Sequence, residues 1–308
     1  MTEIRPLSWG RSYLMCRPEH FRIDYAINPW MDVTASVDTE RALAQWDGLV
    51  DAIRAAGAAV EVIAQRPDSP DMVYAMNYGI LDGDHVAITS FRHPERRPEA
   101  ESAEWWFGEA GLRTTRIADA GSGCFEAGDA FLFGNTLLVA DGPRTDRATH
   151  EVIARTFGVS VTPVRITSPW MYHLDLSFCP LDQRRAIVAP SAWDSATWQR
   201  VSALVAEPLV IDETEARTFC ANSIVVDETV IMPAGVPVRV ARQLEAWGFS
   251  VAEVPVDELH KGGGSVRCMT LPLDTVLDDA RLPVSTGRDL AARPVQPAGS
   301  HDGEPVLA

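Results

Sequence analysis

Hydrophobic positions along the chain repeat one pattern: an amphipathic helix, then a glycine, then a short apolar strand. Residues 43–53 carry hydrophobic side chains at helical spacing, and Gly57 separates them from an apolar run at 60–63. Glycine commonly caps the end of a helix because it adopts a left-handed conformation without steric cost. The pattern therefore predicts a helix, its cap and a strand in that order.

Three further copies of this pattern follow along the chain. They lie at 105–117, 152–166 and 240–256, with glycines Gly111, Gly158 and Gly248. The successive glycines are separated by 54, 47 and 90 residues, so the last interval has room for two units. A helix at 193–205 and a strand at 209–211 fill that interval without a glycine. Five units of roughly 50 residues are typical of a repeat or propeller architecture.

Apolar runs interrupted by Gly, Asp or Pro lie between these units and predict further strands and hairpins. They are found at 79–89, 130–140, 187–190 and 224–233. We interpret residues 1–282 as one α/β domain built from pseudo-repeats. Residues 283–308 are rich in Pro, Gly, Ser and Ala, which predicts a poorly ordered tail. A doubly wound sheet is the alternative, but the chain lacks the glycine fingerprint that binds phosphate in such folds.

Composition limits the classes of partner. The 308 residues are 46% hydrophobic, which is ample for a large core, and their formal net charge is −16. This charge argues against nucleic acid or an anionic membrane surface as a partner. Five widely spread cysteines without a C-x-x-C pair are typical of reduced thiols and lack zinc-site spacing. With no apolar leader or membrane-spanning run, we expect a cytoplasmic protein that acts on a small molecule.

The segment 262–270, which reads GGGSVRCMT, is the strongest candidate for chemistry. Its three glycines allow a tight bend and a close approach of the backbone to a ligand. Cys268 follows them and enters a short apolar run, which predicts a thiol at the edge of a strand. An ionised cysteine is a strong nucleophile. A glycine turn followed by a buried structural cysteine is the alternative.

Two groups of acids and a histidine could supply acid–base chemistry. His173 and Asp175 would point to one face of an extended segment, and a carboxylate can orient a histidine for proton transfer. A buried, hydrogen-bonded histidine is the alternative, and no third ligand follows at a spacing that suits a metal. Glu126 and Asp129 stand just before an apolar strand, where they form either a turn or part of a site.

The remaining candidates are charged or amide side chains near strand ends. Asp71 and Asn77 stand at the two ends of a half-apolar segment. Arg96 and Arg144 follow strands, where arginines are either solvated or bind carboxylates. Asn28 lies in the block 24–31, which could also be a turn held by aromatic packing.

Taken in order, these residues resemble the guanidino-group-modifying superfamily. That superfamily includes dimethylarginine dimethylaminohydrolases, arginine and agmatine deiminases, arginine dihydrolases and arginine–glycine amidinotransferases. The resemblance covers residues 10 to 275. It implies a five-bladed, pseudo-symmetric α/β propeller (pentein fold), an arrangement that agrees with the five units counted from the hydrophobic pattern. It also implies chemistry without a metal or cofactor, and we expect a homodimer.

The resemblance assigns a role to each catalytic candidate. Cys268 would attack the guanidinium carbon, and His173 would protonate the departing nitrogen and later activate water. Glu126 would bind guanidinium nitrogens, helped by Asp175.

The resemblance also implies a substrate-binding set. Arg96 and Arg144 would bind the substrate α-carboxylate, and Asp71 would bind the α-ammonium. Asn77, Asn28 and Asp129 complete the predicted set.

Two positions bear on the substrate. Asn77 stands where the dimethylaminohydrolases and deiminases carry Asp, whereas the arginine dihydrolases carry Asn there. Met76 stands where the dimethylaminohydrolases carry Glu. We therefore predict a cysteine-dependent hydrolase of arginine or dimethylarginine that forms ornithine or citrulline, and Asn77 favours ornithine. An amidinotransferase that moves the amidino group to an acceptor amine is the alternative.

Overall fold

The computed structural model describes residues 3–121 and 123–281, without the side chains of residues 279 and 281. Within these residues, fifteen strands form five three-stranded sheets. The strands are β1 (Ser12–Cys16), β2 (Ala59–Ile63), β3 (Gly79–Asp82), β4 (His85–Ile88), β5 (Arg113–Arg116), β6 (Ala130–Phe133), β7 (Thr136–Asp141), β8 (Val161–Arg165), β9 (Phe178–Pro180), β10 (Arg185–Val188), β11 (Glu207–Val210), β12 (Ile224–Val226), β13 (Thr229–Pro233), β14 (Ser250–Val254) and β15 (Leu271–Pro272). The predicted poorly ordered tail at 283–308 lies outside the described residues.

Long helices lead into the last strand of each sheet, and shorter helices lie in the connections. The α-helices of the described residues are α1 (Thr39–Ala55), α2 (Arg97–Glu109), α3 (Thr149–Phe157), α4 (Ser195–Leu204), α5 (Glu213–Ala216), α6 (Val238–Ala246), α7 (Asp257–His260) and α8 (Asp278–Arg281). None of the helices in the described part of the chain is long and apolar enough to span a membrane.

The five sheets share one topology. In four of them an antiparallel hairpin is followed by a helix and a third strand, which pairs parallel to the second. In the first sheet, β15 returns from the C-terminal end of the domain and pairs antiparallel with β1, Leu14 opposite Leu271. β1 pairs parallel with β2. These five sheets are the blades of the predicted α/β propeller, and the β1–β15 pair closes it.

Burial shows which edge of each sheet faces the centre. The first strands of the five sheets, β15, β3, β6, β9 and β12, are buried along their whole length. The third strands, by contrast, include several partly or fully exposed positions. The first strands therefore line the centre of the propeller, where apolar side chains from all five blades are removed from water.

The predicted glycines stand at the helix ends. Gly57, Gly111, Gly158 and Gly248 follow α1, α2, α3 and α6, with φ angles of 102°, 78°, 67° and 97°. The fourth unit has no glycine, and there Val205 ends α4 in an extended conformation while its N–H donates to the Val201 carbonyl. The sequence analysis correctly placed the five helix–strand units but missed β1 and β9.

Two glycine substitutions test these helix ends. Replacing Gly158 with Ala forces a side chain into a left-handed conformation and should lower the free energy of unfolding by about 1 kcal/mol. Replacing Gly48, which lies inside α1 with open space around it, should raise that free energy by about 0.5–1 kcal/mol. Urea denaturation measures both. Equal effects of the same sign would contradict a left-handed cap at Gly158.

Candidate active site

The site is built from the segments that precede the first strand of each blade. Asn77 stands just before β3, Asp129 before β6, Asp175 before β9, Asn222 before β12 and Cys268 before β15. Because these strands line the centre of the propeller, their leading ends meet at one end of its axis. All five side chains are buried.

Hydrogen bonds join these segments in a closed ring, with one junction between each pair of neighbouring blades. Asn77 Oδ1 accepts from Gly128 N (2.9 Å), Asp129 Oδ1 from Leu174 N (2.9 Å), Asp175 O from Asn222 Nδ2 (2.9 Å), Asn222 Oδ1 from Cys268 N (3.2 Å) and Cys268 O from Met76 N (3.0 Å). The ring fixes the backbone of each segment relative to the next.

The thiol of Cys268 lies between two polar groups of this ring. Its Sγ is 3.2 Å from Asp175 Oδ2 and 3.1 Å from Asn222 Nδ2. Burial, and then the nearby Asp175 carboxylate, raise the pKa of this thiol well above its ordinary value. Without a cation beside it, Cys268 is therefore a thiol that donates its proton to Asp175.

The sequence pattern predicted Cys268 at the edge of a strand, and this prediction was wrong. Cys268 lies in a turn three residues before β15 begins, and the turn is held by a hydrogen bond from Met269 N to Ser265 O (3.2 Å). The apolar run after the cysteine forms only a two-residue strand, since the ring of hydrogen bonds holds the preceding backbone instead of a sheet partner.

The glycines before Cys268 make room for side chains of other segments. A Cβ on Gly263 would lie 2.5 Å from Asn28 Oδ1, and the φ of Gly263 is +87°. A Cβ on Gly264 would lie 2.5 Å from the Tyr74 ring. The segment thus needs glycine for close approach by protein side chains, in addition to its tight bend.

His173 is oriented by Glu126. Its Nε2–H donates to Glu126 Oε2 over 2.9 Å, so the carboxylate fixes the orientation of the ring and leaves Nδ1 for proton transfer. The segment that carries His173 and Asp175 was predicted to be extended. Instead, Leu174–Leu176 form a 3₁₀ turn directly after His173. Nevertheless, His173 and Asp175 both reach the same point, next to Gly128.

Gly128 marks the centre of the polar cluster. A Cβ added there would lie 2.8 Å from Asn77 Oδ1, 3.1 Å from Asp175 Oδ2 and 3.3 Å from His173 Nδ1. The amide, the carboxylate and the free imidazole nitrogen therefore converge, and Asp175 connects them to the thiol. This arrangement can carry out nucleophilic attack and proton transfer within one small volume.

Both predicted arginines are buried instead of solvated. Arg96 forms a two-pronged ion pair with Glu99, with Nε–Oε1 at 2.9 Å and Nη2–Oε2 at 2.7 Å. Arg144 donates to Glu126 Oε2 (2.9 Å) and lies over the Tyr172 ring. Each guanidinium is thus held in place by a carboxylate of the protein.

Asp71 and Asn28 connect the N-terminal block to the site. Tyr25 donates to Asp71 Oδ2 (3.1 Å), and Arg144 donates to the Ile27 carbonyl (3.0 Å). Asn28 donates through Nδ2 to the Gly262 carbonyl (3.0 Å), so it holds the block against the glycine segment. These hydrogen bonds attach the block to Asp71, to Arg144 and to the glycine segment.

Electrostatics divides the buried carboxylates into two groups. Burial alone would raise the pKa of Glu126, but Arg144 and His173 outweigh it and hold that pKa well below its usual range. Burial dominates at Asp129 and raises its pKa to about 7. It also raises the pKa of Asp175, where His173 and Arg267 oppose it.

The buried carboxylate oxygens without a hydrogen-bond donor among the described residues include three of the site: Asp71 Oδ1, Asp129 Oδ2 and Asp175 Oδ1. A buried acceptor without a donor is costly, so these oxygens are suited to cationic N–H groups of a ligand. In the same part of the chain, no cluster of three His, Cys, Asp or Glu residues could hold a metal ion.

Sequence analysis missed Asn222 and Arg267. Asn222 occupies the position in the fifth blade that Asn77, Asp129, Asp175 and Cys268 occupy in the others, so the repeat period could have identified it. Arg267 is buried between the rings of Trp9 and Phe131, 4.9 and 4.8 Å from their centroids. Arg267 belongs to no motif or repeat position that could have identified it from the sequence.

Known proteins share both the sequence and the fold. A family model described as N,N dimethylarginine dimethylhydrolase, eukaryotic, matches residues 12–275. The N(G),N(G)-dimethylarginine dimethylaminohydrolase of Mycobacterium tuberculosis is 37% identical over 265 residues, which cover 85% of this chain and 86% of that protein.

Arginine dihydrolases are similar too. The bifunctional arginine dihydrolase/ornithine cyclodeaminase ArgZ of Synechocystis is 33% identical over 88% of this chain, which matches 39% of ArgZ. The crystal structure of an Asn-to-Ser variant of the N-terminal domain of ArgZ, covalently bound to a reaction intermediate, has a TM-score of 0.80 and 31% identity. It covers 85% of this chain and 97% of that domain.

Replacing Gly128 with Ala tests the convergence of the polar cluster. The added methyl group would displace Asn77, Asp175 or His173, and a displacement of about 1 Å can reduce turnover about 10²-fold. We expect that loss in kcat/KM with a retained far-UV circular dichroism spectrum. The same substitution at exposed Gly48 serves as control. Full activity of Gly128→Ala would place the reacting groups elsewhere.

The raised pKa of Asp129 predicts a pH-dependent stability. Because the folded pKa of about 7 exceeds the ordinary value of 3.8, this group stabilises the fold fully below about pH 4, and the stabilisation is lost as the pH rises through 7. Asp129→Asn keeps the acceptor for Leu174 N and removes this titration. The loss of unfolding free energy between pH 4 and pH 8 should then shrink by at least about 1.4 kcal/mol.

Urea denaturation at pH 4, 6 and 8 measures this difference. Asp84→Asn, at an exposed side chain, is the control and should leave the pH dependence as it is in the unsubstituted protein. An unchanged pH dependence in Asp129→Asn would show that the carboxyl is ionised in the folded state throughout this range.

Proposed function

The chain belongs to the dimethylarginine dimethylaminohydrolase family of guanidino-modifying hydrolases. We propose that it hydrolyses L-arginine to ornithine through a covalent intermediate on Cys268. The observation that carries the proposal is the buried cluster of Cys268, Asp175, His173 and Glu126 around Gly128. The partnerless oxygens of Asp71 and Asp175 support a cationic amino acid as substrate.

The cation of the substrate activates the nucleophile. A guanidinium bound to Asp175 would occupy the acceptor that now holds the Cys268 thiol proton. Its positive charge also favours the thiolate, since an opposite charge within a few ångströms stabilises the ionised form. The thiol proton leaves to solvent as the substrate enters, and the net charge of the site is unchanged.

The first half of the reaction replaces one nitrogen with oxygen. The thiolate adds to the guanidinium carbon, His173 gives its Nδ1 proton to one amino group, and ammonia leaves. The product is a thiouronium bonded to Cys268. Water then loses a proton to His173 Nδ1 and adds to the same carbon, and expulsion of the thiolate leaves a ureido group. Glu126 stabilises the protonated histidine at each transfer.

Asn77 supports a second round on the ureido group. Its Oδ1 already accepts from Gly128 N, so its Nδ2 protons remain for a ligand. A neutral ureido oxygen can accept such a proton, whereas a carboxylate in this position has none to give. Thiolate addition then releases a second ammonia, and water converts the thiocarbamate into a carbamate. The carbamate loses carbon dioxide and gives ornithine.

Hydrolysis of dimethylarginine is the second candidate. The family model and the Mycobacterium tuberculosis relative favour it. Met76 does not decide between the two, because its side chain packs into an apolar cluster with Met72 and Leu271. Both candidates are hydrolyses, which the hydrolase names of the relatives favour over amidino transfer. A homodimer and a cytoplasmic location stay predictions from the sequence.

Substitution of Asn77 by Asp tests the two-step reaction. We expect the unsubstituted protein to form ornithine and ammonia from L-arginine in a ratio of 1:2. Asn77→Asp should accumulate citrulline, because the second addition loses its N–H donor. Mass spectrometry of the amino acid products, with an ammonia assay, measures the change.

Two controls separate the possible outcomes. Cys268→Ser should abolish turnover of every substrate, and retained turnover would contradict the covalent mechanism. Asymmetric dimethylarginine is offered in parallel. Citrulline and dimethylamine from it, with no product from arginine, would replace the first candidate with the second.

A further inference from the structure

The side-chain amide of Asn222 is fully hydrogen-bonded around the nucleophile. Its Nδ2 donates to the Asp175 carbonyl (2.9 Å) and to Cys268 Sγ (3.1 Å), and its Oδ1 accepts from Cys268 N (3.2 Å). The carbonyl can only accept and the Cys268 N–H can only donate, so the orientation of the amide is determined. One Nδ2 proton therefore faces the sulfur.

We propose that Asn222 is a catalytic residue whose Nδ2–H group stabilises the Cys268 thiolate when it attacks and each time it is expelled. The inference rests on the proposed function for the use of Cys268 as nucleophile. A hydrogen bond to a charged acceptor is about twice as strong as one between neutral groups. The bond from Asn222 thus favours the thiolate over the thiol.

Asn222 and Asp175 have opposite effects on the same sulfur. Asp175 Oδ2 accepts the S–H proton in a hydrogen bond and favours the thiol. Asn222 Nδ2 cannot accept that proton and donates its own, so it favours the thiolate. When a guanidinium binds Asp175, the effect of Asp175 on the pKa of the sulfur is neutralised, and the hydrogen bond from Asn222 remains. Asn222 therefore makes the thiolate available only with a cation in the site.

The turn that carries Asn222 is held in an unusual conformation. Phe219, at its start, has a φ of 60°, which is rare for a bulky residue, and its carbonyl accepts from Asn222 N (2.8 Å). The Phe219 ring stacks on His260, with centroids 4.4 Å apart, and lies at the same distance from Trp30. Such strain persists where surrounding contacts impose it, and it concentrates at functional sites.

The reactivity of Cys268 depends on several groups besides Asn222. Asp175, Tyr74, Tyr172 and Arg267 all interact electrostatically with the thiol, and the Ser265 carbonyl lies in the same turn. A useful control therefore alters the Asn222 turn and leaves these groups unchanged. Ser223→Ala meets this need, since Ser223 is buried next to Asn222 and its hydroxyl donates only to the Cys220 carbonyl (3.0 Å).

The test is the rate at which methyl methanethiosulfonate, a small thiol reagent, modifies Cys268 in the substrate-free protein between pH 7 and pH 10. Peptide mass spectrometry separates Cys268 from the other cysteines. In Asn222→Ala the pKa of Cys268 should rise, and the thiolate fraction should fall about tenfold for each pKa unit. A more basic thiolate reacts faster, so the net loss in the rate of modification is about threefold per unit. In arginine hydrolysis, kcat should fall about 10²-fold.

The direction of the change separates catalysis from structure. If Asn222 only holds the turn in place, its removal should open the turn and speed the modification of Cys268. If its N–H group stabilises the thiolate, its removal should slow that modification. Faster or unchanged modification in Asn222→Ala, or an equal slowing in Ser223→Ala, would overturn the proposal. If Asn222→Ala does not fold, Asn222→Ser takes its place, because the serine side chain is too short for its hydroxyl to reach the sulfur.

The two proposals fail in different ways. Modification is measured without substrate, so it reports on the bond between Asn222 and Cys268 whether or not arginine is hydrolysed. If the unsubstituted protein turns over neither arginine nor dimethylarginine, the proposed function fails. Unchanged kcat in a folded Asn222→Ala protein, with active unsubstituted enzyme, would overturn the catalytic role of Asn222 alone.

Discussion

The closed ring of hydrogen bonds at one end of the propeller is the constraint on which the site depends. Every junction in the ring joins two blades, and every blade contributes one segment to it. Cys268 contributes through both its N–H and its carbonyl, so the nucleophile is also a structural member. The ring closes only when β15 has returned to pair with β1. A reactive thiol is therefore correctly placed only in the complete propeller.

The same construction explains how so many charges lie together out of water. Arg96 is matched by Glu99, and Arg144 by Glu126, while His173 shares the latter carboxylate. A buried charge without a partner is costly, and these pairs avoid that cost. Asp71 and Asp175 each keep an oxygen without a donor, so the cluster is best completed by a cation. Recognition of the substrate and activation of the thiol are then consequences of one charge balance.

Much of the fold could be predicted from the sequence, because its units are local. Each helix, its glycine cap and its strand lie within a few tens of residues, and their hydrophobic spacing reports which face is buried. β1 was missed because its partners β2 and β15 lie far along the chain, and β9 was missed because it is only three residues long. The site was accessible only through the order of weak motifs such as His173-x-Asp175 and Gly262–Gly264 with Cys268. Asn222, which no such motif contains, escaped notice although it contacts the nucleophile.

By itself the sequence determined the five repeated units, the charge of the protein and the residue types that chemistry on a guanidino group requires. Only the tertiary structure decided which atoms meet: that Cys268 lies between Asp175 and Asn222, and that both arginines are paired with carboxylates. The physical reason is distance along the chain. Hydrophobic periodicity acts over neighbouring residues, whereas each hydrogen bond of the ring joins segments from different blades. Those bonds form only when all the blades are packed around a common axis.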